Sequence, residues 1–327
     1  MFKVAITDYT FPSLDIEQKI LQSAGYEVVS GQCKTPETLI PLVADADAVI
    51  TQFAPVNADV VAAMQKTRVI VRYGIGFDNV ACDAAREKNI PVCNIPEFCI
   101  DEVADHTLAF ILSCTRCVRA NCEHMVKGQW GLGVPLEQMR ALPDQTVGII
   151  GLGRIGKAVA DRLRAFNCRL LAFDPVVSAD DAAAHGCSLV GLEQLLTKSD
   201  IVTLHCPSSE QTRSIINKQS LASMQAGAIL INVGRGDLVE LQALTESLES
   251  GHISAAALDV FDTEPLPGDS SLLQMNNVIV SSHIASASPK AVRILRETAA
   301  QVAVAGLLGE ILPNIVNEVS QTVAATR

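Results

Sequence analysis

Aromatic residues are scarce in this chain of 327 residues, where one tryptophan, three tyrosines and nine phenylalanines make up 4% of the sequence. Basic residues are also in the minority, because 25 Lys and Arg face 36 Asp and Glu, a net charge of −11. That charge argues against nucleic acid or an anionic membrane surface as the main partner. No apolar run reaches the length of a membrane span, and no signal peptide, short repeat or low-complexity tail is evident.

The ten cysteines are scattered along the chain and do not frame small loops, which indicates reduced thiols in a cytoplasmic protein. Cys114, Cys117, Cys122 and His124 are close in sequence and are all residue types that bind zinc. They lie in or just after one apolar helix, however, without the paired ligands of a zinc knuckle. We therefore predict buried structural thiols and no metal site.

A glycine motif gives the clearest functional signal. The apolar run Thr146–Ile150 leads directly into Gly151, Gly153 and Gly156, and a helical pattern follows. Strand, glycine turn and helix start together suit a dinucleotide, whose pyrophosphate binds at the positive end of the helix dipole. A second strand then ends at Asp174, where a carboxylate can accept hydrogen bonds from the adenosine ribose. The pattern predicts an NAD site.

Ala, Val, Leu and Ile dominate a sequence that is 49% hydrophobic, as suits parallel sheets covered by helices on both faces. The length exceeds one ordinary core, and strand and helix patterns alternate on both sides of an apolar helix that runs from Asp101 to about Val118. The predicted fold class is α/β, with two Rossmann-like or flavodoxin-like doubly wound parallel-sheet domains flanking a cleft. Residues 128–143 are predicted to form a loop, a helix is predicted to start near Leu238, and Pro289–Leu308 is predicted as the last helix.

The domain boundaries follow from two hinge candidates, near Glu97–Asp101 and near Ala285–Pro289. Residues 100–287 contain the glycine motif and are predicted to be the NAD-binding Rossmann domain. Residues 1–99 and 288–327 are predicted to form a discontinuous substrate-binding domain. Its first strand runs into Asp8 and offers no glycine cradle for phosphates.

Arg235, Asp259 and His283 each fall at the carboxyl end of a predicted parallel strand, the edge where open α/β sheets bind ligands. An arginine between two glycines can extend its planar fork to a carboxylate. Glu264 is a candidate acid partner of His283, since a carboxylate fixes the imidazole tautomer and favours its charged form. The alternatives are a surface arginine in a turn, a structural histidine and a loop glutamate. Another turn, Arg72–Asn79, could form an anion-binding nest or be a plain turn.

These motifs together resemble the D-isomer-specific 2-hydroxyacid dehydrogenases, over nearly the whole chain. The matching segments are Gly151–Gly156 with Asp174, Asn232–Gly236, Leu258–Pro265, Ser282–Ala285, Arg72–Asn79 and Glu102–His106. Within that family, the segments 72–79 and 130–135 look most like the C-terminal-binding-protein branch. Ser282 departs from the family pattern, which commonly has proline before the histidine.

The resemblance implies that Arg235, Glu264 and His283 are catalytic, and that Asp259 is a partner of the nicotinamide end. It implies that the backbone of Ile75 and Gly76, together with Arg235, binds the substrate carboxylate. The full set of expected cofactor-binding residues is Gly151, Gly153, Arg154, Ile155, Gly156, Asp174, Cys206, Pro207, Thr212, Val233, Asp259 and His283. The resemblance also implies a homodimer built largely from the NAD-binding domains.

The expected reaction is hydride transfer between NAD and C2 of a small-molecule D-2-hydroxy acid or 2-oxo acid. Two alternatives stay open at this point. One is an NADH-sensing protein-interaction module of the corepressor type, against which the complete Arg/Glu/His set counts. The other keeps an oxidoreductase but changes its substrate to another small oxyanion such as phosphite, which the same arginine and nest would suit.

Overall fold

The computed structural model describes residues 1–320 and shows two compact units, each with its own parallel sheet. The split unit consists of Met1–Cys99 and the chain from Ser288 onward, and the middle unit is Ile100–Ala287. The predicted α/β fold with two parallel sheets is confirmed. Within the described range, no helix combines the length and the apolar character that crossing a membrane requires.

The elements run in chain order. The strands are β1 (Lys3–Ile6), β2 (Glu27–Ser30), β3 (Ala48–Thr51), β4 (Val69–Arg72), β5 (Val92–Cys93), β6 (Thr146–Ile150), β7 (Arg169–Phe173), β8 (Cys187–Leu189), β9 (Ile201–Leu204), β10 (Ala228–Asn232), β11 (Ile253–Leu258) and β12 (Val278–Val280). The helices are α1 (Asp15–Ser23), α2 (Pro36–Val43), α3 (Ala58–Ala63), α4 (Cys82–Glu87), α5 (Ile100–Thr115), α6 (Val118–Val126), α7 (Arg154–Arg164), α8 (Ala179–Ala184), α9 (Leu192–Lys198), α10 (Lys218–Ser223), α11 (Leu241–Glu249) and α12 (Pro289–Leu308).

The split unit has five parallel strands in the order β2-β1-β3-β4-β5. Strands β3 and β4 are buried at every position, and each begins with three consecutive apolar residues, as is typical of strands covered on both faces. Helix α12 returns from the middle unit to pack on both of them. The strand order reverses between β1 and β3, so loops that follow these strands border the switch point where such sheets bind ligands.

The middle unit has seven parallel strands in the order β12-β11-β10-β9-β6-β7-β8. Its core consists mainly of leucine, isoleucine and valine from the central strands and the helices α9 to α11. The order reverses between β6 and β9, and the glycine motif follows β6 directly. The three neighbouring strands β10, β11 and β12 are the ones that precede Arg235, Asp259 and His283. The strand order therefore brings these three residues to one edge of the sheet.

Three segments differ from the sequence expectations. The long helix ends at Thr115, and α6 begins at Val118 after Cys117, whose φ of 48° lies in the left-handed region. No helix is predicted from the sequence between Asp174 and Ser188, but a short helix, α8, follows Ser178, whose side chain accepts a hydrogen bond from the N–H of Asp181 at 3.1 Å. The helix expected near Leu238 begins at Leu241, because residues 238 and 240 pair with Ile216 and hold the chain extended.

Candidate active site

The glycine motif has the tight turn that its sequence predicts. Gly151 has φ of 91°, and a Cβ there would lie 2.5 Å from the backbone nitrogen of Cys206. A Cβ on Gly156 would collide with the carbonyl oxygen of Gly151. Two of the three glycines are thus required by this chain's own backbone, since no side chain fits at either position.

Gly153 is different, because nothing in the protein itself requires a glycine there. Its φ of −75° is open to any residue, and no described atom lies within 4 Å of the Cβ that it lacks. It is the N-cap of α7, yet it offers no side chain to cap the helix. The N–H groups of the first helical turn have no intrahelical partners. A pyrophosphate that approaches the backbone closely explains both features, so the residues present fit a dinucleotide.

Asp174 follows β7 with its carboxylate held by the backbone. One oxygen, Oδ2, accepts the N–H of Leu152 at 2.8 Å, and Oδ1 accepts the N–H groups of Val176 and Val177 at 2.9 and 3.2 Å. Oδ2 keeps one acceptor site for a hydroxyl group. The same carboxylate therefore shapes the glycine turn and presents a fixed negative charge beside it.

The other residues expected around the cofactor lie on neighbouring loops. Val233 follows β10, and the Cys206 backbone lies against Gly151. The Thr212 hydroxyl donates to the carbonyl oxygen of Pro207 at 2.6 Å and closes the loop between them. Burial raises the pKa of the Cys206 thiol to about 11, so the thiol is neutral at physiological pH and is not a nucleophile.

His283 and Glu264 form a direct pair, as the sequence suggested. Imidazole Nδ1 lies 2.8 Å from carboxylate Oε2, and about 30% of each side chain is exposed. Burial acts to raise the pKa of Glu264, but the hydrogen bonds from His283 and from the Phe261 N–H, with the charge of Arg235, outweigh it and lower that pKa. Glu264 is therefore ionised at neutral pH. It directs the Nδ1 proton of His283 toward itself, which leaves Nε2 as the ring atom for proton exchange.

The turn that carries Arg235 is fixed by Asn232, a residue whose role the sequence did not reveal. Its amide donates to the Arg235 carbonyl oxygen at 2.8 Å and accepts the Gly234 N–H at 3.0 Å. A Cβ on Gly236 would collide with the Phe261 carbonyl group. The absence of a side chain at Gly236 lets the arginine turn pack against the turn from Phe261 to Glu264. The predicted catalytic residues Arg235, Glu264 and His283 are thus brought together within the middle unit.

Asp259 is 1% exposed and organises the turn around His283. Its carbonyl oxygen accepts the His283 N–H at 2.7 Å, and its carboxylate accepts the N–H groups of Ile284 and Ala285 at 2.9 and 2.8 Å. His283 has φ of 57°, which costs about 1–2 kcal/mol for a residue other than glycine. The hydrogen bonds to Asp259, each worth about 1 kcal/mol, offset this cost. They hold the turn although Ser282 stands where the family commonly has proline.

The segment Arg72–Asn79 of the split unit forms a turn with unused donors. Gly74 has φ of 147°, and a Cβ there would collide with the Arg72 guanidinium. The Asn94 amide donates to the carbonyl oxygen of Ile75 at 2.6 Å. Among residues 1–320, no acceptor is hydrogen-bonded to the N–H of Ile75 or Gly76. These two N–H groups can therefore bind an anion.

Other polar candidates have structural roles. At the switch point of the split unit, Asp8 accepts the N–H groups of Gln52, Phe53 and Ala54, so donors that could bind a phosphate are already used. Burial lowers the pKa of His205 to about 3, which keeps this histidine neutral beside the Thr203 hydroxyl. No group of three or more metal-binding side chains occurs in the part of the chain that the structure describes.

Comparison with known proteins identifies the family. Residues 108–285 match the family model "D-isomer specific 2-hydroxyacid dehydrogenase, NAD binding domain". The chain belongs to the D-isomer specific 2-hydroxyacid dehydrogenase family. It is an NAD-dependent oxidoreductase that transfers a hydride between nicotinamide and C2 of a small 2-hydroxy or 2-oxo acid. The predicted family and cofactor are confirmed.

Individual relatives agree with this assignment. A glyoxylate reductase of Korarchaeum cryptofilum is 36% identical over 285 residues, which cover 86% of each chain. A D-3-phosphoglycerate dehydrogenase of Methanocaldococcus jannaschii is 35% identical over 324 residues, which cover 97% of this chain but 60% of that protein. The structure of D-lactate dehydrogenase from Aquifex aeolicus, complexed with NAD and lactic acid, superposes with a TM-score of 0.87 at 28% identity, covering 96% of this chain and 99% of that one.

Proposed function

We propose that the chain reduces a small 2-oxo acid, with glyoxylate the first compound to test, through Arg235, His283 and Glu264. The observation that carries this proposal is the 2.8 Å pair of His283 and Glu264, located where the Arg235 turn packs against the Phe261–Glu264 turn. A glyoxylate reductase that matches 86% of the chain supports the choice of substrate. When NAD(H) is bound, its nicotinamide supplies or accepts the hydride.

Each residue has a separate role in the proposed reaction. Arg235 binds the substrate carboxylate with its planar fork and stabilises the negative charge that grows on the carbonyl oxygen. His283 gives the Nε2 proton to that oxygen, and ionised Glu264 orients the ring and favours its charged form. Ile75 and Gly76 are proposed to donate their N–H groups to the carboxylate. The split unit then serves as the substrate domain and the middle unit as the NAD-binding domain.

A panel of 2-oxo acids with NADH tests the proposal through the loss of reduced-nicotinamide absorbance. We expect turnover with glyoxylate or another small member of the panel. Phosphite with NAD is the second arm, because an arginine and two N–H donors would also bind that oxyanion. A protein that binds NADH tightly but turns over nothing in either arm would be an NADH-sensing interaction module.

Asp174 is proposed to set the preference for NAD over NADP. Its fixed negative charge would repel a 2′-phosphate, and its Oδ2 can accept a ribose hydroxyl. Asp174→Asn removes the charge and keeps one acceptor oxygen, which can accept either the Leu152 N–H or the N–H groups of Val176 and Val177. We expect the ratio of kcat/KM with NADH to kcat/KM with NADPH to fall by about tenfold or more. Asp174→Ala should narrow the preference mainly by weakening NAD binding. Equal or better wild-type activity with NADPH would contradict this role.

We also propose a homodimer formed by the middle units. An apolar patch, defined here as the exposed hydrophobic residues Val118, Met125, Val126, Trp130, Leu132 and Leu136, covers α6 and the segment after it. Trp130 is 92% exposed and Val126 83%, and a groove of about 590 Å³ lies beside the patch at Val118, Val126 and Ile279. Exposed apolar surface of this kind marks an interaction site.

The oligomeric state of two charge variants tests the dimer. Val126→Glu and Trp130→Glu place a carboxylate in the proposed interface, and burying an unpaired charge there is costly. Light scattering at micromolar concentration should show a dimer for the wild type and a shift to monomer for both variants. Ile311→Glu is the matched control, since Ile311 is 73% exposed but lies in the split unit. A monomeric wild type would rule the dimer out.

A further inference from the structure

A chain of polar side chains links the middle of α5 to the turn that carries His283. Nε2 of His106 lies 3.2 Å from the Ser281 hydroxyl, and that hydroxyl donates a hydrogen bond to Oδ1 of Asp259. All three residues belong to the middle unit. The His106 ring makes an edge contact with the Phe110 ring, 4.4 Å between centroids, which fixes the orientation of the imidazole.

The chemistry of the three groups sets the direction of the hydrogen bonds. Asp259 as a carboxylate can only accept, so the single hydroxyl proton of Ser281 points to it. The Ser281 oxygen then has only lone pairs to offer to His106. Nε2 of His106 must therefore carry a proton, and donation runs from His106 to Ser281 to Asp259. The reverse direction would leave the buried Asp259 oxygen facing a lone pair.

Asp259 needs these donors because it is buried. A carboxylate that is 1% exposed loses its hydration, and protein donors must replace the lost water. The donors to its two oxygens are the Ser281 hydroxyl and the N–H groups of Ile284 and Ala285. The same two N–H groups fix the turn in which His283 has its left-handed backbone. Removing the hydroxyl donor therefore loosens the carboxylate that holds the turn.

We propose that His106 and Ser281 are positioning residues of the reaction. They act through Asp259 to hold the backbone of His283, Ile284 and Ala285 and thereby keep the imidazole against Glu264. Neither side chain is proposed to touch the substrate. The catalytic consequence rests on the role proposed above for His283, whereas the structural consequence does not. The two consequences are therefore measured separately.

Hydrogen exchange measures the structural consequence without any turnover. We expect Ser281→Ala and His106→Leu to speed amide exchange in a peptide covering residues 281–287 by about tenfold. Ser281→Thr, which keeps the hydroxyl, and His106→Gln, which keeps an N–H donor, should restore slow exchange. His252→Leu is the matched control, since it removes another half-buried histidine of this unit, bonded to the Leu221 carbonyl oxygen at 3.0 Å. Exchange in the peptide that is unchanged by Ser281→Ala and His106→Leu would overturn the proposal.

A double-mutant cycle measures the catalytic consequence at saturating NADH. Each single variant should lower kcat for the 2-oxo acid by about tenfold, or about 1.4 kcal/mol. Adding His106→Leu to Ser281→Ala should cost nothing further, because His106 acts only through Ser281. If the effects of the two substitutions on kcat add fully, His106 does not act through Ser281 and the proposal is overturned. If exchange responds as expected but the wild type reduces no 2-oxo acid, the positioning stands and the proposed function fails.

Discussion

Arg235→Lys is expected to lose about two orders of magnitude or more in kcat/KM for the 2-oxo acid. Lysine keeps the charge but presents a single ammonium group, so it loses the planar fork that binds a carboxylate through two parallel hydrogen bonds. The loss should appear in kcat as well as KM, because an oriented donor stabilises the charge that develops on the carbonyl oxygen. NADH affinity should change by less than about threefold, since the guanidinium is proposed to bind the substrate.

A surface arginine of the same unit provides the control for that experiment. Arg213 is largely exposed and lies 3.5 Å from the Asp237 carboxylate. Arg213→Lys should therefore leave both kcat/KM and the NADH affinity near the wild-type values. Steady-state kinetics and NADH fluorescence titration supply the two readouts. Turnover of Arg235→Lys near the wild-type rate would show that another group binds the carboxylate. The N–H groups of Ile75 and Gly76 would then be the next candidates.

The second large effect concerns proton transfer by the pair of His283 and Glu264. Reduction needs the imidazolium, so its kcat/KM should fall as the pH rises and His283 loses its proton. Oxidation of the hydroxy acid needs the neutral ring, so its kcat/KM should rise over the same interval. Glu264 is held ionised, because its pKa is lowered, and its charge favours the imidazolium. Glu264→Gln should therefore move the pH dependence of kcat/KM to lower pH in both reaction directions.

The comparison requires kcat/KM against pH in both directions for the wild type and for Glu264→Gln. Glu246→Gln is the control. Glu246 pairs with Lys218 on the surface, so this substitution should leave both pH dependences of kcat/KM unchanged. His283→Gln should abolish both pH dependences of kcat/KM. It should also lower kcat by about two to four orders of magnitude, the usual contribution of a general acid. If kcat/KM changes with pH in the same direction for reduction and oxidation, or if Glu264→Gln does not move the two pH dependences, His283 is excluded from proton transfer.

Much of the fold was predictable because buried parallel strands are short continuous apolar runs. Helix α12 has the predicted limits, Pro289–Leu308, and it carries its own N-terminal signals in Ser288 and Pro289. The break between α5 and α6 was not predictable. A left-handed cysteine at 117 has no local signature, since only the packing around it makes that backbone conformation favourable.

Part of the site was predictable because the carboxyl ends of parallel strands lie at one edge of the sheet. That argument gave Arg235, Asp259 and His283, and left Glu264 open between a loop residue and a partner. The 2.8 Å contact to His283 decides for the partner. The roles of two residues could not be predicted from the sequence. Asn232 and His106 lie in segments that resemble the family, but neither was assigned a role from the sequence, because their partners Arg235 and Ser281 are identified only in the folded chain.

Transfer of deuterium is the most direct test of the central claim, that this chain moves a hydride between nicotinamide and C2 of a 2-oxo acid. The wild-type protein is supplied with NADH deuterated at C4 on the transferred face and with the 2-oxo acid that the panel identifies. Mass spectrometry and NMR then locate the label in the product. We expect one deuterium on C2 of the 2-hydroxy acid for each NADH consumed. Product without label at C2, or NADH oxidised without a hydroxy acid formed, would contradict it.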